Sequence, residues 1–421
     1  MIKFNIPASS YDKKQLLSNF TALTALQAAA YILPLLTLPY LVKVLGLETF
    51  GLVMFAQAFI IYFSILVDYG FDLSATREIS QHRDDQEKLV EIYSSVMTIR
   101  IVLMVISFVI LLAVVFLFNW FRDDWKLYFL TFGMVVGQAL FPVWYFQGIE
   151  RMKYITIVNI LAKAIFTVMI FIVVKSEDDY LYVPIVNSLG MFVATGFSLW
   201  IIHKKFRQVF SFQKPATLLA YFKDSTQFFL SRVSVSIYTA SNVVILGLVT
   251  NTTMVGHYSI AEKLYKGLRS IYAPVVTVLY PYISNRKNIN LFKVVFKFIT
   301  TGNLFFVALL ALSSQMLFNT FFGSEYELIS IDIFYIFLLA SLVVIPSIML
   351  GYPFLAALGH PQKANSSVIA GSIVHLIGLG LLLVFGIFSV YSITFMVVFT
   401  ESLILVLRII WIRRFGLWRQ A

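Results

Sequence analysis

Seven cations, Arg100, Lys163, Arg232, Lys263, Lys266, Arg269 and Arg408, fall inside or at the ends of long apolar stretches of this 421-residue chain. Four acids join them: Asp68, Asp72, Glu262 and Glu401. A charge at the centre of a bilayer costs about 2.5–3.5 kcal/mol on insertion scales, so such groups face a partner or a wet cavity. Two kinds of chemistry suit them. Lysine and arginine pair with phosphate and other anions, and a buried carboxylate takes up and releases protons near neutral pH. Glu401 stands alone in an apolar helix, where a proton relay and a pairing with a cation on another helix are both open readings. Glu262, Lys266 and Arg269 recur at i, i+4 and i+7 on one helical stripe. Glu262 before Lys266 is the favourable order for an ion pair, yet that pair does not neutralise Lys263 and Arg269 as well. Asp68 and Asp72 share the i, i+4 spacing, with Arg77 placed to relieve them.

Depth sorts these residues further. Lys163 is the tenth residue of its span, and Arg269 lies about 23 Å into a helix rising 1.5 Å per residue; both are expected to line a cavity. Arg100 and Arg232 lie two turns in, where snorkelling and cavity lining are both open. Arg408 is one turn from its helix end and is expected to snorkel. Leaving Arg408 aside, six cations meet four acids, so the interior tends positive and suits an anionic substrate. No Walker loop, HExxH, GxSxG or acidic metal-binding cluster occurs, so neither a cofactor nor a metal is expected, and the five histidines are scattered.

The elements that must position these residues are membrane helices. Sixty percent of residues are apolar and only 13% charged, where soluble domains carry about 25% charged residues. Uncharged runs such as 15–42, 127–149, 233–261, 298–324, 333–362 and 364–400 exceed the roughly 18–20 residues that cross a bilayer. The pattern predicts an all-α polytopic membrane protein with twelve spans at 18–42, 50–74, 93–118, 127–147, 154–174, 180–202, 226–249, 254–282, 294–318, 331–357, 365–385 and 390–412. Lys13 and Lys14 precede a first apolar stretch too long for a signal-peptide core. Trp120, Phe121, Trp125, Trp411 and Trp418 fall where interfacial rings are expected.

Charge bias orients the spans. With a cytoplasmic N-terminus, the cytoplasmic segments hold 21 Lys/Arg and the opposite side only Lys43, Arg122, Lys126 and Lys175. Both termini are therefore expected in the cytoplasm. The net charge of +11 is thus a topology signal, and no basic block interleaved with aromatics points to nucleic acid. The longest central loop separates a six-helix bundle at 1–205 from another at 226–421, with 206–225 as cytoplasmic linker. A faint repeat agrees: Gly51 and Ala56–Gln57 precede Gly256 and Ala261–Glu262 by the same 205 residues. Even-numbered halves imply parallel repeats around a central cavity.

Four patches carry a family likeness. Pro39–Gly46 with Phe50-Gly51, Asp68-Tyr-Gly70 with Ala75-Thr-Arg77-Glu78, Trp144–Glu150, and Val255–Tyr258 with Ala261-Glu262-Lys263 together resemble Wzx-type polysaccharide flippases of the multidrug/oligosaccharidyl-lipid/polysaccharide exporter superfamily. At position 43 the family more often carries Arg; Lys43 keeps the charge and loses the planar fork. The resemblance implies two six-helix bundles in a V that alternate access in the bacterial inner membrane. It implies transport, without enzymatic activity, of undecaprenyl-pyrophosphate carrying an oligosaccharide repeat unit, O-antigen or a related polysaccharide, to the periplasmic leaflet, coupled to an ion gradient. Membrane lipid, a polysaccharide polymerase and a chain-length regulator are the partners it implies. On that reading Lys163, Arg232, Lys263, Lys266, Arg269, Arg100 and Lys43 meet the head group, and Glu401, Asp68, Asp72 and Glu262 are candidates for ion coupling. A multidrug exporter of the same superfamily and a membrane-embedded polymerase or glycosyltransferase are the alternatives; the first needs an acidic cavity and the second a sizeable loop.

Overall fold

A chain this apolar cannot leave backbone N–H and C=O groups facing lipid, so each segment satisfies them internally as helix. The computed structural model describes residues 10–323 and 327–418, with the side chains of 10–32, 230–232, 234–239 and 327 left out. Fifteen helices follow one another: α1 (Ser10–Asp68), α2 (Phe71–Gln81), α3 (Gln86–Leu117), α4 (Asn119–Arg122), α5 (Trp125–Leu140), α6 (Val143–Gly148), α7 (Met152–Val173), α8 (Tyr182–Lys205), α9 (Pro215–Val249), α10 (Thr252–Ser270), α11 (Ala273–Arg286), α12 (Ile289–Phe321), α13 (Glu327–Leu350), α14 (Pro361–Val384) and α15 (Val390–Arg414). Asp85 caps α3, Asn251 caps α10 and Ser389 caps α15, each accepting from a backbone N–H, while Pro215 and Pro361 open α9 and α14 where the missing N–H is not needed.

Several of these helices are pieces of broken spans. Gly46 (φ 72, ψ 167) splits α1 into two arms. Left-handed Tyr69 and Gly70 separate α1 from α2, Pro142 separates α5 from α6, and α13 runs into a π-helical segment, Gly351–Ala356. Span eight of the sequence reading is two helices, α10 and α11, joined through Ile271–Tyr272.

Among the described residues, nine stretches are long and apolar enough to cross a membrane, against the twelve expected. The difference falls in three places. Leu33–Gln81 is one continuous stretch by this measure despite the break at Gly46. In α9 only Ala240–Val249 is apolar among the described residues. The third is α10, which carries Glu262, Lys263, Lys266 and Arg269. Lipid-facing surface is plain on α12, where Phe298, Phe305, Leu312 and Met316 are each more than 70% exposed. The protein is a multi-pass membrane protein.

One apolar core runs from Leu38 in α1 to Val397 in α15, and a smaller one gathers Ile283, Phe292, Phe354 and Ile412. Inside the main core, α1 and α10 touch backbone to backbone. A Cβ placed on Gly51 falls 1.8 Å from the Thr252 carbonyl oxygen, and one on Gly256 falls 2.5 Å from the Leu47 carbonyl oxygen. Leu47 and Thr252 are themselves 205 residues apart, as are Gly51 and Gly256. The faint repeat therefore meets itself in a reciprocal contact, the pattern of a two-fold interface, with glycine permitting the approach as in small-residue membrane helix pairs.

A side chain at Gly51 has no room, so Gly51→Val is expected to lower stability by about 1–3 kcal/mol, the usual range for overpacking. Gly302→Ala, where nothing lies within 4 Å, is the control. Thermal unfolding in detergent checks this, and equal melting temperatures for the two variants would refute the crossing.

Candidate functional site: a two-lysine cavity

The second arm of α1 faces α10 across a cavity of about 210 Å³, closed on its other side by α7 and α8. Lys163 from α7 and Lys263 from α10 both line it. Gln57, Asn159, Asn187 and Thr37 add uncharged donors and acceptors, and Phe50 and Phe166 add rings. No lining side chain among the described residues is a carboxylate. Local sequence explains the geometry. Gly190 lets α8 press on α7, since a Cβ there meets the Ala162 carbonyl at 2.7 Å, and this brings Asn187 level with Asn159 and Lys163. The Gly51–Gly256 crossing holds α10 against α1, so Lys263 reaches the same space as Gln57. Two ammonium groups in one low-dielectric pocket repel each other unless an anion lies between them. The arrangement therefore favours a doubly charged ligand with hydroxyl-rich surroundings.

The other expected residues lie elsewhere. Exposed Lys266 pairs at 2.8 Å with Glu262, whose side chain is largely buried. Arg269 is exposed at the last turn of α10, where a cation suits the helix dipole. Buried Tyr265, stacked on Phe337 at 4.9 Å, is within electrostatic reach of Arg269, Glu262 and Glu401. Glu401 is itself buried. Lys43 is exposed, with its ammonium 3.5 Å from the Thr320 carbonyl oxygen. The Arg232 side chain lies outside the described residues.

Arg100 and Arg408 are spent on broken helices. Pro142 has no N–H, so the Gln138 carbonyl four residues earlier loses its α-helical donor. Arg100 supplies one at 3.0 Å, reaches the Phe141 carbonyl at 3.4 Å and lies 3.7 Å from Asp68. At 2% exposure it does not line the two-lysine cavity. Arg408 corrects the expectation of snorkelling. It is buried and donates to the Ser347 carbonyl, Ser347 Oγ and Ser367 Oγ, just where α-helical spacing gives way to π. Gly351 makes the room, since a Cβ there falls 2.9 Å from the guanidinium carbon.

The Asp68–Asp72 pair is corrected too. The left-handed Tyr69–Gly70 turn lies between them, so they do not share a helix face. Arg77 is bonded instead to Glu78 and to Asp224 of α9, both at 2.9 Å. Arg83, in the connection between α2 and α3, hydrogen-bonds Glu150, in the connection after α6, at 2.7 Å and holds its carboxyl below the usual carboxylate range.

One polar network escaped the sequence reading. His375 Nε2 lies 2.8 Å from Asn242 Oδ1 and Nδ1 lies 2.8 Å from Thr400 Oγ1, while Asn242 donates to the Tyr258 hydroxyl at 3.0 Å. Its members come one per helix from α14, α9, α15 and α10, and no local spacing signals such a set. Among the described residues, no group of three His, Asp or Glu is placed to hold a metal ion.

The chain belongs to the polysaccharide biosynthesis protein family, whose model matches residues 16–287. It is 32% identical over 282 residues to a protein of Escherichia coli (strain K12) assigned as an O-antigen transporter, covering 66% of this chain and 67% of that one. A protein of Shigella dysenteriae with the same assignment is 27% identical over 92% of this chain and 97% of its own. Among solved structures, an inward-facing multidrug resistance MATE family transporter of the MOP superfamily superposes with a TM-score of 0.69 at 14% identity, covering 91% of this chain and 96% of that one. The lipid II flippase MurJ in an inward closed conformation gives 0.66 at 15% identity, covering 94% and 87%. These relatives are transporters and flippases, and the chain is a transport protein rather than an enzyme.

Replacing Arg100 with Met removes one of two donors to the Gln138 carbonyl, the other being the Phe141 N–H at 3.2 Å, and takes the guanidinium away from Asp68. A broken buried pair typically costs about 3–5 kcal/mol, so Arg100→Met is expected to lower the melting temperature sharply, and adding Asp68→Asn to restore part of it. A melting temperature unchanged by Arg100→Met would show that the arginine does not hold the α5–α6 break.

Proposed function

We propose that the protein flips undecaprenyl-pyrophosphate-linked oligosaccharide repeat units, O-antigen or a related surface polysaccharide, from the cytoplasmic to the periplasmic leaflet of the bacterial inner membrane. The observation that carries this is the cavity shared by Lys163 and Lys263, lined also by the amide side chains of Gln57, Asn159 and Asn187. A pyrophosphate offers two adjacent anionic centres for two ammonium groups, and asparagine and glutamine suit sugar hydroxyls. Family membership and the two O-antigen transporter relatives support the same cargo. A multidrug exporter of cationic drugs fits the cavity poorly, because its walls repel cations.

The reading takes the chain as twelve spans in two six-helix bundles, 1–205 and 226–421, joined by the 206–225 linker, with both termini cytoplasmic. The reciprocal Gly51–Gly256 contact supports two related halves, and the 21-to-4 charge bias supports the orientation. At about 210 Å³ the cavity is smaller than the roughly 300–1,000 Å³ of sites for drug-sized ligands. It accommodates the diphosphate, and passage of the oligosaccharide requires the halves to part, as alternating access provides. Glu401, Asp68, Asp72 and Glu262 remain the acids through which an ion gradient would drive the cycle, Glu401 being buried near the Tyr265–Arg269 group. A polymerase and a chain-length regulator are the expected downstream partners.

A charged hydrogen bond contributes about 1.5–3 kcal/mol, so Lys163→Gln and Lys263→Gln are each expected to slow flipping of a defined lipid-linked oligosaccharide by tenfold or more at unchanged protein abundance. Arginine at either site should retain much of the rate, and normal flipping by both glutamine variants would end the proposal. If Glu401 carries the coupled proton, flipping in vesicles rises with an imposed pH gradient and Glu401→Gln abolishes that rise; a rate indifferent to the gradient in the parent protein rules out proton coupling.

A further inference from the structure

A cavity of about 720 Å³ lies outside the two-lysine site, where the ends of α12, α13 and α15 meet. Among the described residues its walls are Phe296, Leu350, Ile409, Ile412, Gly416 and Trp418, and the charged group on its lining is Arg413. The last described residues fold back to form it. Gly416 (φ 64) closes α15 with Leu417 N–H on the Ile412 carbonyl and its own N–H on the Arg413 carbonyl, both at 3.1 Å. This return seats Trp418 against Phe296 at 5.8 Å and Phe354 at 5.5 Å, and Lys293 lies 5.7 Å over the indole.

Charge around the mouth has one sign. Arg286, Lys287, Lys293 and Lys297 flank the start of α12, and Arg413 and Arg414 end α15, whereas neither 263–323 nor 402–418 contains an Asp or Glu. An apolar hollow under a cationic rim, with tryptophans at the level where rings favour head groups, matches a molecule with a long apolar chain and an anionic phosphate ester. It matches a sugar less well, because among the described residues the lining offers no amide or hydroxyl side chain.

We infer that this cavity binds one anionic glycerophospholipid, its acyl chain among Phe296, Ile409 and Trp418 and its phosphate on Arg413 and Lys293. Basic pockets between helices on the cytoplasmic side take such head groups, and the inference rests on the orientation given under Proposed function for its leaflet. The bound lipid would brace the end of α15 against α12 and α13, in the part of the fold that also buries Arg408.

Purified full-length protein in detergent is titrated with phosphatidylglycerol or phosphatidylcholine and read by native mass spectrometry. One phosphatidylglycerol should be retained where phosphatidylcholine is not. Arg413→Gln should weaken retention about fivefold, the effect of one surface cation on an anionic lipid, while Arg413→Lys keeps most of it. Ile409→Trp, which fills the hollow, should abolish retention. Equal retention of the two lipids, or phosphatidylglycerol binding untouched by both Arg413→Gln and Ile409→Trp, overturns the inference. So does preferential retention of undecaprenyl phosphate, which would give the site to the cargo's tail. Flipping by the Lys163 and Lys263 variants is a separate signal, so failure of either reading is seen without the other.

Discussion

Every backbone polar group within the bilayer must find a partner inside the protein, and the placement of the buried charges follows from that constraint. The chain meets it with helices and then breaks them at Gly70, at Pro142 and around Gly351. At Pro142 and Gly351 the breaks free carbonyls that the α-helical ladder serves poorly. Arg100 and Arg408 donate to them, and arginine suits that duty because its planar fork presents five donors to several acceptors at once. Lysine, a compact charge on a flexible stem, is the residue that lines the cavity at 163 and 263. Buried cations of equal formal charge therefore divide by geometry into those that hold the helix breaks and those that face open space.

This division shows why the sequence was legible in some places and not in others. Composition, span lengths and the uneven distribution of lysine and arginine identify a multi-pass all-helical protein, because they depend on transfer energies summed over many residues. Depth within a span pointed at Lys163 and Arg269 as cavity-lining; Lys163 does line the cavity, whereas Arg269 is exposed in the last turn of α10, because the span it was counted along breaks at Ile271–Tyr272. Depth was ambiguous for Arg100 and misleading for Arg408, because it does not reveal which carbonyls a break has freed on another helix. The Asp68–Asp72 spacing failed for a local reason. An i, i+4 argument presumes an unbroken helix, and Tyr69-Gly70 breaks it. The glycine was readable as a warning; the pairing of Asp68 with Arg100, 32 positions along the chain, was not.

The His375–Asn242–Tyr258 network marks the opposite limit. Each member comes from a different helix, and four helices must pack before the set exists. Buried polar sets of this kind specify one packing arrangement because a shifted helix leaves donors unserved. Together with the Arg408 contacts it ties α9, α10, α13, α14 and α15 into a unit. That rigidity is what a proposed alternating-access mechanism needs of its moving parts, since rocking requires bodies that do not deform.

The contact between such bodies is then the place where motion is decided, and the α1–α10 crossing has suitable properties. It brings backbone against glycine, with carbonyl oxygens of Leu47 and Thr252 against Gly256 and Gly51, and the Leu47 side chain beside Gly256. Backbone contacts of this type are individually weak. Lys263 lies seven residues beyond Gly256, about 10 Å along the helix at 1.5 Å per residue, and Gln57 six residues beyond Gly51. The cavity is therefore only two turns from the crossing, on the same two helices that form it. Parting the helices at the glycines separates Lys263 from Lys163 and widens the space between them, whereas closing them brings two positive charges together. Under the proposed function, an anion between the lysines would favour the closed crossing and its absence the open one. The pair of ammonium groups proposed to select a diphosphate would thereby bias the contact that admits and releases it.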